Sequence, residues 1–357
     1  MTTNLDEYLH PRDIRDSHVL TRIIEKRVQE NDIYDVPFAP FYPTMQRKVK
    51  LKVRALDPSG LAAFMADNAN TPIVGGGGEV REVYLELAQI GEKHVLKPTD
   101  LIALESPDPV VAEGAARDIL KLGQQLRIRN VQRSKWMAWK AAEDALTITY
   151  PDGVAISIDY DLDADGDNSD WSGSHKPTAS VAWSTISADI IEDVYTWTKL
   201  IEDDLGAEMS SCIMHINGTD WRYLKKNTGL KAELSATQPR IITPTATEVA
   251  EILGIAQVVI YNRFWRDTDE TKTKFIPNGS VLITAPYVVD GVPIMEMYDG
   301  PVVMVQGDDL VVARNPGAQS EIYINKEQRT KSIRIQTARL PVMNRPAAFV
   351  WANIGPG

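Results

Sequence analysis

The sequence predicts an α+β fold in which one long helix precedes a mixed region and a β-rich end. Helix-forming residues run from Asp108 to about Ala145, and no proline occurs between Val110 and Tyr150. Short helical and strand patterns alternate over residues 187–290, which is typical of a small α/β domain. Residues 291–357 are rich in strand patterns. With 357 residues, the chain is long enough for two compact domains or one large irregular domain.

The N-terminal region contains an extended apolar segment and an alternating strand. Val36–Pro43 holds three prolines and three aromatic residues, so it cannot continue a helix and favours an extended path. Such a segment cannot bury its rings alone, so it packs either on a neighbouring subunit or on the core of its own chain. Lys48–Arg54 alternates basic with apolar residues and predicts a two-faced strand. Its basic face fits solvent or carboxylates better than nucleic acid.

Residues 64–98 predict two strands of a long protruding loop. Turn-forming residues occupy 67–72, and Gly75–Gly78 form a glycine-rich bend. Apolar and polar residues then alternate from Val80 to Leu87. The glycines lack the spacing of a nucleotide-binding motif and no helix begins after them, so we expect no phosphate site there.

The long helix has a clear start. Asp108 is a suitable N-cap, Pro109 suits the first helical position, and Glu113 places an acid near the positive end of the helix. At ~1.5 Å per residue the helix would span roughly 50 Å. The alternative is a pair of helices broken at Gly123, because glycine is a poor helix former. Two apolar stripes at helical spacing support a helix that contacts different elements along its length: Ala112, Ala116, Ile119 and Leu126, and then Ile128, Val131, Ala138, Ala142 and Leu146.

A hairpin and an acidic loop follow the helix. Leu146–Tyr150 and Val154–Tyr160 flank a Pro-Asp-Gly turn, which predicts a β-hairpin. Asp161, Asp163 and Asp165, with Gly166 in the sixth position, match the start of a calcium-binding loop. The twelfth position is Ser172, where that loop needs a bidentate glutamate. We therefore interpret the segment as an acidic loop exposed to solvent, and we predict no metal site.

The mixed region begins with a helix from Ser187 as N-cap to Leu205, ended by Gly206. The other predicted elements are a strand over Cys212–Ile216, a short helix capped by Asn217 or Thr219 and closed at Gly229, a helix from Thr245 or Thr247 through Leu253, and strands over Gln257–Trp265 and Lys274–Thr284. The β-rich end contains predicted strands at Val302–Val305, Leu310–Arg314, Glu321–Asn325, Ser332–Ala338 and Ala347–Ile354.

Composition excludes several classes of protein. Hydrophobic residues make up 43% and charged residues 24%, which is ordinary for a soluble globular protein. No apolar run reaches the ~18 residues of a membrane span, and Met1–His10 lacks the apolar core of a signal peptide. The single cysteine, Cys212, rules out an internal disulfide framework. The net charge of −11 argues against tight binding to nucleic-acid backbones, although a surface that merely faces nucleic acid is compatible with it.

No catalytic, cofactor-binding or metal-binding residues are predicted, and we expect no enzymatic activity. The histidines are scattered and none has metal-ligand spacing: they are His10, His18, His94, His175 and His215. No nucleophile elbow of the Gly-x-Ser-x-Gly type occurs. The paired carboxylates Asp203/Asp204 and Asp308/Asp309 fit solvated positions better than catalytic ones.

Three stretches carry a family resemblance: Lys93–Pro98 before the long helix, Lys274–Leu282, and the ending from Ile333–Pro341 to Phe349–Trp351. Together with the order of elements, they resemble the lambda-like major capsid protein E family of tailed phages, which has the Hong Kong 97-type fold. The resemblance covers nearly the whole chain. It implies an N-arm at residues 1–50, an extended E-loop at 51–98, a P-domain with a spine helix at 99–186 and 291–357, and an A-domain at 187–290.

The resemblance also implies a function and partners. The expected protein is a major capsid protein that self-assembles into hexamers and pentamers of an icosahedral head around a double-stranded DNA genome. Few residues precede the loop, which implies a separate scaffolding protein; a portal and a decoration protein are further partners to consider. Such a protein is made in the cytoplasm of the host bacterium, resides in the virion and needs neither membrane nor cofactor. The alternatives are a calcium-dependent binding module built on the acidic loop, or a hydrolase with an unrecognised site.

Overall fold

The computed structural model describes residues 24, 33–52, 82–144, 146–150, 155–158, 160, 175–237, 244–266, 271–306, 309–313, 316–325 and 330–355. The predicted glycine-rich bend at Gly75–Gly78 and the acidic loop from Asp161 to Ser172 lie outside these residues. No helix in the described part of the chain is long and apolar enough to cross a membrane.

The described helices are α1 (Pro98–Leu104), α2 (Pro109–Ala142), α3 (Ile190–Leu205), α4 (Trp221–Lys226), α5 (Thr228–Thr237) and α6 (Ala246–Leu253). Two short 3-10 turns occupy Met209–Ser211 and Pro346–Ala348. The strands are β1 (Phe41–Pro43), β2 (Lys48–Lys52), β3 (Glu82–Glu86), β4 (Ala88–Val95), β5 (Thr147–Thr149), β6 (Ala155–Ser157), β7 (Ile213–Ile216), β8 (Gln257–Ile260), β9 (Phe264–Arg266), β10 (Lys272–Lys274), β11 (Ser280–Thr284), β12 (Val288–Val289), β13 (Val292–Pro293), β14 (Met295–Gly300), β15 (Val303–Gln306), β16 (Asp309–Val312), β17 (Gln319–Asn325), β18 (Thr330–Met343) and β19 (Phe349–Asn353).

The described residues form two compact units. The first unit contains those within 1–49, 85–138 and 297–341, and the second contains those within 50–84, 139–296 and 342–357.

The predicted long helix is confirmed as one continuous element, α2. Its first turn begins as expected, because Asp108 Oδ1 accepts a hydrogen bond from the Val110 backbone N–H at 3.0 Å. The predicted alternative, a break at Gly123, is wrong. A Cβ added at Gly123 would lie 2.6 Å from Ile24 Cδ1 and 2.9 Å from Ile333 Cδ1. The glycine therefore permits a close approach of neighbouring side chains without ending the helix.

The core of the first unit lies between α2 and the sheet. Its buried members are Ile24, Leu96, Leu104, Ala116, Ile119, Leu120, Ala318, Ile333 and Ile335. The apolar stripe predicted at the start of the helix supplies Ala116 and Ile119 to this core, and its Ala112 is also buried. Ile128 in the second stripe is exposed, whereas Val131 and Ala138 are buried.

The sheet of the first unit is organised by the 14-residue strand β18. Its strands follow the order β1-β14-β18-β17, and β4 also pairs with β18. The β18–β4 register joins Ser332 to Val95 and Arg339 to Ala88 in antiparallel fashion. Residues 88–95, which the predicted E-loop includes, thus belong to this sheet. Strand β14 was missed by the sequence analysis.

The extended N-terminal segment packs on the core of its own unit, as one of the two interpretations held. Val36 and Phe38 are buried. Strand β1 then pairs in parallel with β14, with Phe41 opposite Met297. Tyr42 is half-exposed, and its ring centre lies 4.8 Å from that of Tyr298 with the ring planes tilted by 48°.

The second unit contains a mixed sheet with the strand order β19-β11-β7-β8. Strand β7 pairs in parallel with β8 and antiparallel to β11, so both of its edges are hydrogen-bonded. Its residues Met214–Ile216 are buried. The predicted hairpin is confirmed, because β5 and β6 pair with Thr147 opposite Ser157.

Helix caps in the second unit partly match the predictions. Gly206 ends α3 in a left-handed conformation with φ of 71°, as expected. Thr245, one of the two predicted caps of α6, forms a capping box with Glu248. The prediction of Ser187 as the α3 N-cap is wrong, because Asp189 accepts the hydrogen bond from the Glu192 backbone N–H. Asp189 stands one residue before the first helical turn, where its carboxylate reaches that N–H group.

Two other boundaries require correction. The helix expected to close at Gly229 ends at Lys226, and a second helix begins at Thr228 because the Asn227 side chain accepts from the Leu230 backbone N–H at 2.9 Å. The strands predicted over 257–265 and 274–284 are each divided in two, since β9 and β10 leave the main sheet and pair with each other.

Candidate functional site

Two-stranded ribbons are a recurrent surface feature of this chain. In the described residues there are five ribbons: β2–β3, β5–β6, β9–β10, β12–β13 and β15–β16. Each carries at least one large exposed apolar residue, and we call this set the exposed ribbon residues: Tyr84, Ile156, Phe264, Val288, Val303 and Val312. An isolated two-stranded ribbon is marginally stable in water, so apolar side chains on its open face favour contact with another surface.

The β15–β16 ribbon shows the arrangement most clearly. Val303 and Val312 are directly opposite each other in the antiparallel register, so their side chains share one face. That face is open, with Val303 37% and Val312 56% exposed. Met304, the next residue along β15, points to the other face and is buried. The ribbon therefore has one face packed in its own unit and one apolar face left uncovered.

The β9–β10 ribbon exposes an aromatic ring. Phe264 is 48% exposed, and Lys272 Nζ lies 5.2 Å from the centre of its ring. A cation–π contact at an exposed site contributes about 0.5–1 kcal/mol. It favours this position of the Phe264 ring but leaves the ring exposed.

Apolar residues are also exposed where α1 leads into α2. Ile102 on α1 is 73% exposed, and Val110 on the first turn of α2 is 77% exposed. Neither lies on the buried stripe of its helix, so the unit's own core does not require them.

A buried polar cluster holds the N-terminal segment in the first unit. Arg339 on β18 is fully buried and donates to Asp299 Oδ2 at 2.9 Å and to Ser134 Oγ at 3.2 Å. Its guanidinium also lies 4.4 Å from the ring centre of Phe41. One cation thereby connects α2, β14 and β1 with β18.

A second ion pair fixes the residues just before β1. Lys135 on α2 is 3% exposed and its Nζ lies 2.5 Å from Asp35 Oδ1. Tyr34 packs against Phe41 with ring centres 4.3 Å apart. The ion pair between Lys135 and Asp35 therefore ties this segment to α2, and the contact between Tyr34 and Phe41 joins the segment to the start of β1.

The histidines are not brought together. His10 and His18 lie outside the described residues, and His94 is exposed on β4. His175 contacts the Phe349 carbonyl at 3.0 Å and Asp204 Oδ2 at 2.6 Å. His215 is buried 5.8 Å from Trp139, measured between ring centres, and burial lowers its pKa to about 4.

The remaining titratable candidates also lie apart. Cys212 is buried, and burial followed by the nearby Glu202 charge raises the pKa of its thiol to about 12, so the thiolate is scarce at neutral pH. Asp203 is exposed, and Asp308 lies outside the described residues. Within the described ranges, no group of three or more His, Cys, Asp or Glu residues is placed to hold a metal ion.

Sequence reasoning missed the exposed ribbon residues and the buried polar cluster. Val302–Val305 is uniformly apolar in sequence, so it gives no sign that Val303 is exposed while Met304 is buried. Arg127, Asn130, Ser134 and Lys135 are likewise buried on α2 although their residue types predict exposure.

Solved structures with a similar fold come from phage-related proteins. A provisionally assigned prophage capsid protein from Escherichia coli CFT073 is similar with a TM-score of 0.60 and 14% identity, covering 95% of this chain and 99% of the other. A phage-related protein from Bordetella bronchiseptica RB50 is similar with a TM-score of 0.51 and 14% identity, covering 98% of this chain and 96% of the other. No curated protein sequence matches the chain.

The continuous helix on a wide sheet, the α/β unit and these structural similarities define the class: a Hong Kong 97-type phage capsid fold. The family described as phage major capsid protein E matches residues 20–354, and the chain belongs to this family. It is therefore a structural protein of the phage capsid. The family match supports neither a calcium-dependent binding module nor a hydrolase.

Proposed function

We propose that copies of this chain assemble into the hexamers and pentamers of an icosahedral head that encloses double-stranded DNA, and that the exposed ribbon residues lie at contacts between subunits. The observation that carries this proposal is that each ribbon exposes at least one large apolar residue, and that β15–β16 has a whole apolar face open. A face of this kind is covered when a neighbour packs on it, and many weak contacts add up around a closed ring.

The domain roles follow from the family resemblance. Residues 1–50 act as an N-arm and 51–98 as an E-loop that reaches a neighbouring subunit. Residues 99–186 and 291–357 form the P-domain, and 187–290 form an A-domain that meets its copies at the centres of hexamers and pentamers.

The proposed partners are other proteins of the phage head and the packaged genome. A separate scaffolding protein and a portal take part in assembly, and a decoration protein is a third candidate. The subunits face the packaged DNA but do not bind it specifically, which suits a chain of net charge −11. The chain is made in the bacterial host's cytoplasm and acts as a structural component without catalysis.

The β15–β16 ribbon provides the sharpest test. Val312→Asp places a carboxylate on the open face, where it costs at most about 1 kcal/mol in the free subunit but several kcal/mol when a neighbour buries it. We expect a folded subunit with wild-type circular dichroism and melting temperature that no longer forms shells by electron microscopy and sedimentation.

The matched control is Gln89→Asp, which adds the same charge at an exposed position of β4 in the same unit. We expect it to assemble. If Val312→Asp forms normal shells, this ribbon is not a subunit contact. If the wild-type chain forms only small species even when the other head proteins of its phage are present, the assembly proposal itself fails.

A further inference from the structure

The chain contains two Asn-Gly sequences, Asn217–Gly218 and Asn278–Gly279, and the fold brings them to one place in the second unit. Asp220 connects them, because its Oδ2 accepts from Asn217 Nδ2 at 2.6 Å and from the Gly279 backbone N–H at 2.8 Å. In an Asn-Gly sequence the glycine nitrogen can attack the asparagine carboxamide, since glycine has no side chain to hinder the close approach. Both sequences are therefore capable of losing ammonia, and their surroundings decide which one does.

The two glycine N–H groups donate to different kinds of oxygen. The Gly279 N–H donates to the carboxylate of Asp220, which can take the proton as the nitrogen attacks. The Gly218 N–H donates to Asn262 Oδ1 at 2.5 Å, a carboxamide oxygen that is a much weaker base. Burial raises the pKa of Asp220, and a carboxylate with a raised pKa is a stronger base. Among the described contacts, only the attack by Gly279 thus has a base in place.

The two carboxamide oxygens differ in the groups that stabilise negative charge on them. Lys274 Nζ donates to Asn278 Oδ1 at 2.7 Å, so an ammonium group faces the oxygen on which charge develops. The same Nζ is farther from Asn217 Oδ1, at 3.5 Å. Asn217 Oδ1 instead accepts from the backbone N–H groups of Thr219 at 2.8 Å and Asp220 at 3.0 Å, which carry no charge. A charged donor forms the stronger hydrogen bond to a developing anion.

The amide nitrogens differ in their freedom to leave. The Asn217 side chain is fully buried, and its Nδ2 donates both to Asp220 and to the Pro277 carbonyl at 2.9 Å. Both ends of this carboxamide are therefore fixed, which opposes rotation toward the glycine nitrogen. The Asn278 side chain is exposed, which leaves room for rotation, for water and for departing ammonia.

We propose that Asn278 is a site of spontaneous deamidation and that Asn217 is protected from it. In this reaction Asp220 accepts the proton of the Gly279 nitrogen, and Lys274 stabilises negative charge on the carboxamide oxygen. The reaction does not depend on assembly, because every participating residue lies in the second unit of a single chain.

The reaction needs only water as a co-reactant. The Gly279 nitrogen loses its proton to Asp220 Oδ2 and attacks Asn278 Cγ, and negative charge moves to Oδ1 beside Lys274 Nζ. The Cγ–Nδ2 bond breaks as Nδ2 takes a proton from solvent and leaves as ammonia, and Asp220 returns its own proton to solvent. Water then opens the succinimide ring at either carbonyl, which leaves aspartate or isoaspartate at position 278.

The products change the chain immediately before β11. A carboxylate replaces a neutral carboxamide beside Lys274, and the isoaspartate product adds one carbon to the backbone before Gly279. The Gly279 carbonyl accepts from the Ile354 backbone N–H at 2.9 Å. The modification therefore acts where the residues before β11 meet those after β19.

The test is a time course of the purified full-length chain at neutral pH, followed by peptide mapping that separates asparagine, aspartate and isoaspartate. The same chain unfolded in guanidinium chloride is the reference, because both Asn-Gly sequences then react without the influence of the fold. We expect conversion at Asn278 to be faster in the folded chain than in the unfolded chain. We expect conversion at Asn217 to be slower in the folded chain.

Two variants test the roles of the neighbouring groups. Asp220→Asn keeps the size of the side chain and removes the base, and Lys274→Met removes the charge beside the oxygen. Each is expected to slow conversion at Asn278 in the folded chain on the order of 100-fold, with no effect in the unfolded chain. The matched control is Lys272→Met on the same strand, where Nζ lies over the Phe264 ring, and it should keep the wild-type rate.

Three outcomes overturn the proposal. The first is slower conversion of Asn278 in the folded chain than in the unfolded chain, because the fold then protects this site. The second is faster conversion at Asn217 than at Asn278 in the folded chain. The third is a wild-type rate in either folded variant. Circular dichroism establishes that each variant is folded, and if Asp220→Asn is not, the rate of Lys274→Met decides alone.

Discussion

Replacing Arg339 by methionine tests the buried polar cluster of the first unit. The fully buried guanidinium bonds to Asp299 at 2.9 Å and to Ser134 at 3.2 Å. Methionine fills much of the same volume, so the change removes the charge with little loss of packing.

The expected cost is large because the partner carboxylate is also buried, with its side chain 10% exposed. Removing one member of a buried ion pair costs about 3–5 kcal/mol, since the remaining charge loses its compensation. We therefore expect Arg339→Met to lower the free energy of unfolding by about 4 kcal/mol.

Arg129→Met is the matched control. Arg129 pairs with Glu92 at 2.7 Å, but the two side chains are 69% and 42% exposed. Solvent screens such a pair, so its loss is expected to cost at most about 1 kcal/mol.

The measurement is urea denaturation of the unassembled subunit, followed by circular dichroism. Arg339→Met together with Asp299→Leu should recover much of the lost stability, because no charge is then left buried. Equal midpoints for Arg339→Met and Arg129→Met would refute the view that burial sets the strength of the Arg339 interaction.

Three further predictions concern the helix and the pH response. Leu126→Pro should destabilise α2 by about 3 kcal/mol and prevent shell formation in electron micrographs, since it removes a hydrogen bond within the helix; normal shells would contradict a spine role. Gly114→Ala should raise the melting temperature, because nothing lies within 4 Å of the added Cβ and alanine gains about 1 kcal/mol in a helix. Gly123→Ala should lose that gain to crowding, and equal melting temperatures for the two variants would count against the close approach. His215 is neutral when folded because burial lowers its pKa to about 4, while the unfolded value is about 6.5. The unfolded chain therefore binds more protons between these values, and stability falls by up to about 3 kcal/mol as pH drops from about 6.5 to about 4. His215→Phe should flatten that part of a denaturation pH profile.

Several elements could be predicted from sequence because short-range interactions decide them. Asp108 and Pro109 start α2, Gly206 ends α3, and Thr245 with Glu248 starts α6. In each case the deciding contact lies within four residues of the helix end, so the local sequence contains all of its parts. The pairing of β5 with β6 was likewise predicted from the Pro-Asp-Gly sequence between them.

The choice between nearby caps could not be made in this way. Ser187 and Asp189 are both acceptable N-caps by type, and in the structure Asp189 accepts the hydrogen bond from the Glu192 backbone N–H. Strand β9 pairs with β10 and so leaves the sheet that contains β8. That outcome depends on which strands compete for an edge, which no single segment encodes.

The sequence by itself determined that one helix is very long, where its first turn begins, and that the chain resembles a capsid family. Only the tertiary structure decided that α2 passes through Gly123, because Ile24 and Ile333 close on that position from distant parts of the chain. It also decided that Arg339 is buried while Val312 is exposed, an inversion of their residue types. Burial is a property of what packs around a residue, and those neighbours are brought together only by folding.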